Sequence, residues 1–302
     1  MDMTGNGPLL VVGLGEALFD MLPGGPALGG APLNAAVHTH QLLQSRGRGA
    51  VVTRCGADEL GRRLLGELRA WDLDAGGVQV DPVRATGRAL VEMVAGDPHF
   101  EIVADAAWDA LAFDADRAGR CAAVCFGTLG QRSEPARRAI RQFLDAAPQA
   151  LRLFDVNLRQ HYFDADTLRR SCERATIAKL NEKELPVVAP LLGIASGPAA
   201  AMIAEFRRAY ALRAVVLTRG ARGTLLATSD GLVEGESVSY APADHADAVG
   251  AGDACSAGVI VGFLLGWPAN RIVSLANRVG AFVASQPGAT PRLPDEILQW
   301  VS

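Results

Sequence analysis

Hydrophobic positions along the chain follow two spacings, and their alternation predicts the fold class. Short continuous apolar runs, such as residues 9–12 and 122–126, are typical of strands buried on both faces. Longer segments with apolar residues every three or four positions, such as residues 58–71, are typical of helices packed on a core. The predicted strands cover residues 9–12, 50–53, 122–126, 151–156, 176–180, 214–218 and 223–227. The predicted helices cover residues 32–45, 58–71, 133–147, 182–191, 198–210 and 257–267.

These repeated strand–helix units predict an α/β fold with a central, mostly parallel sheet and helices on both faces. Two segments do not fit that layer. Residues 16–22 continue in extended form after the first strand, and residues 88–104 alternate apolar and polar positions around a turn at Gly96-Asp97-Pro98. We expect a small β-lid from roughly residues 16–30 and 88–104, within a single domain that covers residues 1–302.

The composition indicates a folded globular protein and argues against some classes of binding partner. Hydrophobic residues make up 49% and charged residues 21% of the chain, and the formal net charge is −4. Without a basic block, the chain offers no surface for a nucleic acid or an anionic membrane. The five cysteines lack pairing or metal-type spacing, as in reduced cytoplasmic proteins. We therefore expect a cytoplasmic location, and no apolar run is long enough to span a bilayer.

The segment 247–253, Asp-Ala-Val-Gly-Ala-Gly-Asp, carries the strongest chemical signal in the chain. Its glycines allow the backbone to turn tightly and approach a ligand, and the apolar run that follows predicts a helix. The free N–H groups at a helix N-terminus attract an anion. Asp253 would repel a bound phosphate, but it could accept a proton from a hydroxyl that attacks a phosphoryl group. The alternative is a glycine-rich helix start in which Asp253 only caps the helix.

Polar residues follow two predicted strands, at the place where open α/β sheets bind ligands. Asp155, Asn157 and Arg159 end one strand. The guanidinium of Arg159 could clamp a phosphate or a sugar oxygen, or it could form a surface salt bridge. Asn181 and Glu184 follow the next strand and could hold Mg²⁺ directly or through water. The same pair also fits a capping box at a helix start.

Two glycine-containing segments and one carboxylate complete the candidate binding residues. Gly29 and Gly30 precede a predicted helix, and Asn34 within it offers a donor and an acceptor to a polyol, although a flexible loop would look the same. Asp20 could accept hydrogen bonds from two neighbouring sugar hydroxyls, or it could be a solvated strand end. Residues 218–223, Thr-Arg-Gly-Ala-Arg-Gly, could face a nucleotide or form only a hairpin turn.

These motifs occur in one order, and in that order nearly the whole chain resembles the ribokinase-like (PfkB) family of sugar kinases. The segments that carry the resemblance are residues 29–34, 56–61, 155–159, 181–184, 218–223 and 250–253. The resemblance implies a ribokinase-like three-layer αβα sandwich with a β-lid over the sugar. It also implies ATP as co-substrate and Mg²⁺ as cofactor, with K⁺ activation as in many relatives. A homodimer through the lid is one assembly it suggests.

The resemblance also implies a role for each matching residue. Asp253 would be the base, Gly250, Ala251 and Gly252 would form the anion hole, and Arg159 would lie near the transferred phosphoryl group. The sugar would contact Asp20, Gly29, Gly30 and Asn34. The nucleotide would contact Asn181, Thr218, Gly220, Gly223, Gly250, Gly252 and Asn277. Asn181 and Glu184 would hold Mg²⁺ through water, and Asp247 would bind a monovalent cation.

Within the family, residues 15–20, 154–159 and 288–291 look most like fructokinases and 2-keto-3-deoxygluconate kinases. We therefore expect phosphoryl transfer from ATP to a primary hydroxyl of a small sugar, with fructose preferred over 2-keto-3-deoxygluconate or another sugar or nucleoside. Ala248 and Cys255 stand where the family usually has Thr and Phe. The missing hydroxyl at residue 248 puts K⁺ activation in doubt.

Two other classes of protein compete with a sugar kinase. A nicotinamide-dependent dehydrogenase is suggested by Gly13 and Gly15 after the first strand, but Leu18 occupies the third glycine position of that motif. A sensing protein that binds sugar or nucleotide without reaction is the non-catalytic alternative, and the retained Asp253 argues against it. In the kinase interpretation, we expect the helix dipole to hold the pKa of Asp253 low.

Overall fold

The structure is a computed structural model, and it describes residues 8–94 and 97–301. In chain order, the strands are β1 (Leu9–Leu14), β2 (Leu18–Leu22), β3 (Gly25–Gly29), β4 (Gly47–Gly56), β5 (Val78–Asp81), β6 (Gly87–Val94), β7 (Asp97–Ile102), β8 (Ala123–Gly127), β9 (Leu151–Asp155), β10 (Ile177–Asn181), β11 (Ala214–Thr218), β12 (Thr224–Thr228) and β13 (Gly231–Glu234). The helices are α1 (Ala31–Leu43), α2 (Glu59–Ala70), α3 (Ala115–Arg120), α4 (Glu134–Ala146), α5 (Ala165–Arg174), α6 (Leu185–Leu191), α7 (Ala199–Ala209), α8 (Ala251–Leu264), α9 (Ala269–Val283) and α10 (Asp295–Leu298).

The larger sheet has the strand order β13-β12-β11-β10-β9-β8-β1-β4-β5. Neighbours from β11 to β5 are parallel, and β12 and β13 extend the sheet in antiparallel fashion. The strand order reverses between β1 and β8, since the chain builds outward from β1 on both sides. The carboxyl ends of β1, β8, β9, β10 and β11 therefore meet at one edge, which is where open α/β sheets bind ligands.

Helices cover both faces of this sheet, as alternate residues of one strand show. In β8, Val124 and Phe126 belong to the core that also contains residues of α4, α5, α6 and α7. Ala123 and Cys125 belong instead to the core shared with α1, α8 and α9. Because both faces are buried, the central strands favour apolar residues on both faces, which explains their nearly continuous apolar runs. The predicted fold class, a large mostly parallel sheet between helices, is confirmed.

A second sheet of four strands, in the order β3-β2-β6-β7, stands beside the first. Leu18, Ala89 and Ile102 from this sheet pack with Trp108 in a separate small core. The predicted hairpin exists as the antiparallel pair β6–β7. Of its predicted turn, Gly96 lies outside the described residues, whereas Asp97 and Pro98 already belong to β7.

Several element boundaries differ from those predicted. Helix α8 begins at Ala251, six residues before the predicted start at 257, because the small residues that follow Gly250 are themselves helical. The apolar pattern did not single out β5 or β13, which are short edge strands with little buried surface. It also missed α9, whose apolar residues mix with polar ones. Within the described ranges, no helix combines the length and apolarity that crossing a bilayer would require.

Asp58 is the N-cap residue of α2 and follows β4 closely in the chain. Its carboxylate accepts hydrogen bonds from the Gly61 backbone N–H at 2.8 Å and from both the backbone N–H and the hydroxyl of Thr86, at 2.8 and 2.6 Å. Asp58 therefore caps the helix and also holds the segment that leads into the lid strand β6. Gly61 is required beside it, because a Cβ there would lie 2.0 Å from the Gly56 carbonyl oxygen.

We predict that Asp58→Ala lowers the free energy of unfolding by about 2 kcal/mol, because a helix cap and the Thr86 contacts are lost together. Asp58→Asn is the matched control, since its amide oxygen still accepts from Gly61, and it should lose less. Urea denaturation of the three proteins measures the difference. An alanine variant as stable as the wild type would contradict this role.

Candidate active site

The loop before α8 is built around a left-handed glycine. Gly250 has φ of 78° and precedes the first helical residue, Ala251. A Cβ at residue 250 would lie 2.3 Å from the Ala289 carbonyl oxygen, so no other residue type fits without a backbone shift. The Ala251 N–H donates to the Ala248 carbonyl oxygen at 3.3 Å. The other N–H groups of the first turn have no acceptor within the helix, and such groups can bind an anion. The predicted placement of the glycine motif at a helix N-terminus is thus observed.

Asp253 lies in the first turn of α8 and is nine-tenths buried. Asn34, from α1, donates a hydrogen bond from Nδ2 to Asp253 Oδ2 at 2.8 Å. The other side-chain atom of Asn34, Oδ1, is buried and has no hydrogen-bond partner in the described part of the chain. The pair joins two helices that are distant in sequence, and it leaves one acceptor free for a ligand.

The expectation that the helix dipole holds the pKa of Asp253 low is wrong. Burial, and after it the negative charge of Asp155, raises the pKa of Asp253 to about 6. The hydrogen bond from Asn34 and the charges of Lys179 and Arg159 act in the opposite direction but do not outweigh burial. A carboxyl group with this pKa is charged at neutral pH and still has useful affinity for a proton.

Two cavities meet at this loop. One, of about 500 Å³, lies between the sheet edge and the lid, and Asp253 and Gly250 line it. The other, of about 520 Å³, lies on the far side and is mostly apolar. Thr218, Ala248 and Gly252 line both. A molecule in each cavity would therefore face the other across the N-terminus of α8. We call them the lid cavity and the apolar cavity.

The lid cavity contains every residue that the sequence assigned to the sugar. Asp20, from β2, lines it, and burial raises the pKa of this carboxyl, while Arg159 partly offsets the effect. Gly29 lies against Asp20, with its Cβ position 3.4 Å from Asp20 Oδ2. Gly30 has φ of 124°, and a Cβ there would lie 2.5 Å from the Glu16 carbonyl oxygen. Both glycines keep this wall free of side chains.

Arg159 also lines the lid cavity, on an exposed position after β9. Its guanidinium donates to the Leu158 carbonyl oxygen at 3.1 Å. Among the described residues it forms no ion pair with a carboxylate, so the salt-bridge alternative is not what this structure shows. The charge of Arg159 faces Asp20 and Asp253 across the cavity.

Asn181 and Glu184 line the same cavity, and they form the reciprocal pattern of a capping box. Asn181 Oδ1 accepts from the Glu184 backbone N–H at 3.0 Å, and Glu184 Oε2 accepts from the Asn181 backbone N–H at 2.8 Å. Glu184 Oε1 accepts from the Leu158 N–H at 2.9 Å. These oxygens keep further lone pairs, so the two residues fit Mg²⁺ held through its own waters. The two alternatives left open by the sequence are compatible.

The apolar cavity contains most residues that the sequence assigned to the nucleotide. Gly220, Gly223 and Asn277 line it together with Thr218. A Cβ at Gly223 would lie 2.7 Å from Asn277 Nδ2, which itself donates to the Glu236 carbonyl oxygen at 2.7 Å. The remaining lining residues are mostly small or apolar. They are Ala221, Thr224, Val238, Ser239, Tyr240, Pro242, Ala248, Ala251, Gly252, Cys255, Ala276, Gly280, Ala281, Ala284 and Ser285.

Asp247 lies apart from both cavities. It is exposed, and its two oxygens accept from the backbone N–H groups of Val249 at 2.9 Å and Gly288 at 3.2 Å. Its assignment to a monovalent cation stays a prediction. In the part of the chain that the structure describes, no three His, Cys, Asp or Glu side chains are grouped to hold a metal ion.

Sequence reasoning missed three buried polar residues at this site. Glu16 lines the lid cavity, and burial raises its pKa to about 7. Lys179 is buried in β10, and a lysine inside an apolar strand could have signalled a paired charge. His38, one turn after Asn34 on α1, donates from Nε2 to the Ala289 carbonyl oxygen at 2.9 Å. It thereby supports the contact with Gly250, a role that no spacing rule reveals.

Comparison with known proteins agrees with this geometry. Residues 26–296 match the pfkB family of carbohydrate kinases. Fructokinase-1 of Oryza sativa is 30% identical over 95% of both chains, and a fructokinase of Klebsiella pneumoniae is 29% identical over 96% of this chain and 97% of its own. An uncharacterized sugar kinase of Pyrococcus horikoshii, solved in complex with ATP, superimposes with a TM-score of 0.81 at 25% identity, over 97% of this chain and all of its own. The chain belongs to the pfkB family of carbohydrate kinases.

We predict that one aspartate carboxyl titrates near pH 6, because Asp253 is buried beside Asp155. Side-chain ¹³C NMR of aspartate-labelled protein measures it, and Asp253→Asn assigns the resonance. In Asn34→Ala the same midpoint should move to higher pH, since a donor to the carboxylate is lost. A protein whose aspartates all titrate at their ordinary values would contradict the raised pKa.

Proposed function

We propose that this carbohydrate kinase transfers the γ-phosphoryl group of ATP to a primary hydroxyl of a small neutral sugar, with fructose as the preferred acceptor. The observation that carries the proposal is the meeting of two cavities at the N-terminus of α8, with Asp253 on the lid side. The sugar would occupy the lid cavity and the adenine and ribose the apolar cavity. The γ-phosphate would then lie at the Gly250–Gly252 amides.

In this arrangement Asp253 accepts the proton of the sugar hydroxyl as its oxygen bonds to the γ-phosphorus and the bond to the β-phosphate oxygen breaks. ADP leaves with that electron pair. The transition state is loose, so alignment and charge stabilisation matter more than strong basicity. The start of α8 and Arg159 both line the cavity in which the transferred group would lie. Asn34 fixes the orientation of the Asp253 carboxylate.

Asn181 and Glu184 would hold Mg²⁺ through its waters, and the ion would neutralise charge on the ATP phosphates. Thr218 and Gly220, at the start of the β11–β12 connection, would contact those phosphates, and Asn277 and Gly223 would form the wall beside the nucleoside. The identity of the nucleotide rests on the family and on the size of the apolar cavity. The binding of K⁺ near Asp247 is part of the proposal, although Ala248 offers no hydroxyl there.

The charges of the lid cavity favour a neutral acceptor over a sugar acid. Among the described residues that line it are five carboxyl groups and two cationic side chains. The carboxyl groups are those of Glu16, Asp20, Asp155, Glu184 and Asp253, and the cations are Lys179 and Arg159. Lys179 is already paired with Asp155. Arg159 is needed by the transferred phosphoryl group, so a substrate carboxylate would find no free cation among these residues. This excess of acid supports fructose over 2-keto-3-deoxygluconate, the alternative acceptor.

We further propose that residues 1–302 form one kinase domain with the four-stranded sheet as its lid. Strands β2 and β6 leave Leu22 and Leu90 exposed, at 42% and 38%. These residues support the expectation of a homodimer through the lid.

We predict that Asp253→Asn lowers kcat by at least about 100-fold, because the amide cannot accept the hydroxyl proton. The change is nearly isosteric, so folding and ADP affinity should be unaffected. Asp244→Asn, at an exposed carboxylate ahead of the same loop, is the matched control. Coupled ADP-release assays and calorimetric ADP titration give the two readouts. Near wild-type turnover in Asp253→Asn would exclude Asp253 as the base.

We also predict that kcat/KM for fructose exceeds that for 2-keto-3-deoxygluconate by about tenfold or more, because the acidic cavity disfavours an anion. An ADP-release screen of neutral ketoses, keto acids and nucleosides with magnesium ATP tests this. Preference for the acid would show that the charge argument is wrong. Release of no ADP across the whole screen, with ATP still bound, would favour the non-catalytic sensing protein.

A further inference from the structure

A buried ion pair lies beneath residues 250–252, which we call the anion-binding loop. Lys179 Nζ donates to Asp155 Oδ2 at 2.7 Å, and the two side chains are only 7% and 4% exposed. Ser256, on α8, donates from Oγ to the same Asp155 oxygen at 2.8 Å. Three elements, β9, β10 and α8, are therefore joined at one carboxylate. The proposed reaction assigns no role to any of these three side chains.

The position of Lys179 in β10 explains where its ammonium group lies. Its neighbours Ala178 and Leu180 belong to the core beneath α4–α7, whereas Ile177 belongs to the core shared with α8. Because alternate strand residues point to opposite faces, Lys179 points towards α8. It is paired with Asp155 across the parallel β9–β10 register. A strand buried on both faces usually has an apolar residue at such a position, so a lysine here is unusual.

The ammonium group reaches the backbone of the anion-binding loop. A Cβ at Gly252 would lie 3.4 Å from Lys179 Nζ, which is the nearest heavy atom outside the neighbouring backbone of α8. Lys179 also lines the lid cavity beside Gly250 and Asp253. At 2.7 Å from Asp155 Oδ2, Lys179 Nζ forms an ion pair with this carboxylate, away from solvent. The side chain is therefore positively charged.

A charged lysine in such a position carries a cost that a purely structural contact does not require. Moving two charges out of water costs several kcal/mol each, and a well-packed apolar pair is often at least as stable. The positive charge lies close to Gly252, beneath the amides at which the γ-phosphoryl group would lie during transfer. Charge fixed in a site that excludes water stabilises a transition state more than the same charge in solvent.

We propose that the Lys179 ammonium supplies positive charge to the Gly250–Gly252 loop during phosphoryl transfer, and that Asp155 and Ser256 are the positioning residues that hold it beneath Gly252. This inference rests on the proposed kinase function. It adds a cation from inside the sheet to the amides of α8 and to Arg159, which approaches from the cavity side. The alternative is an ion pair that serves only to fix α8 on β9 and β10.

A charge-neutral double variant separates these alternatives. Lys179→Met alone leaves the Asp155 carboxylate buried without its partner, so it should lose both stability and activity. Lys179→Met combined with Asp155→Asn removes both charges and should recover the melting temperature. If Lys179 acts on the transferred group, the double variant should still show kcat lowered by about 100-fold, with KM for the sugar little changed. Recovery of kcat to within about threefold of wild type would leave only a structural role.

A milder variant keeps the proposal testable if the double variant does not fold. Ser256→Ala removes one hydrogen bond from Asp155 and changes no charge. Affinity for magnesium ADP with tetrafluoroaluminate, which mimics the transferred phosphoryl group, should fall by about tenfold, while affinity for magnesium ADP alone should change by less than about twofold. Equal losses for both ligands would overturn the proposal. If the wild-type protein phosphorylates no acceptor, both the proposed function and this inference are wrong. If the wild type is active and the double variant is equally active, only this inference is wrong.

Discussion

The close contact between Gly250 and the backbone of Ala289 determines the geometry of the whole site. Because Gly250 has no Cβ, the chain can pack against Ala289 and enter α8 in a left-handed conformation. The Ala289 carbonyl oxygen also accepts from His38, so α1 fixes the segment against which the loop packs. The anion-binding amides and the carboxyl of Asp253 depend on this contact for their position.

Helix α1 connects this loop to the lid. It begins beside Gly30, at the end of lid strand β3, and Asn34 and His38 lie one turn apart on the same face. Asn34 holds Asp253, and His38 holds the segment behind Gly250. One rigid helix therefore supports both the lid wall and the anion-binding loop. A site placed on such an element is more precise than one carried by loops alone, and phosphoryl transfer depends on that alignment.

The second organising feature is the concentration of acid at the sheet edge. Glu16, Asp155 and Asp253 are buried within one region, and burial raises the pKa of Glu16 to about 7 and of Asp253 to about 6. Lys179 neutralises Asp155, and Arg159 partly offsets the others. Grouping carboxyls out of water costs stability, which is typical of functional sites rather than of a core.

The layers of the fold could be predicted from the sequence alone, because strands buried on both faces favour nearly continuous apolar runs and the covering helices require periodic ones. The sequence also located Asp253 and Gly250, since the left-handed turn before α8 requires glycine. Local patterns could not reveal the burial of Glu16, the partner of Lys179 or the contact of His38 with Ala289, because each depends on residues far apart in the chain. The raised pKa of Asp253 depends on tertiary packing, because the helix dipole acts within one turn whereas the burial that raises the pKa comes from elements far apart in the chain.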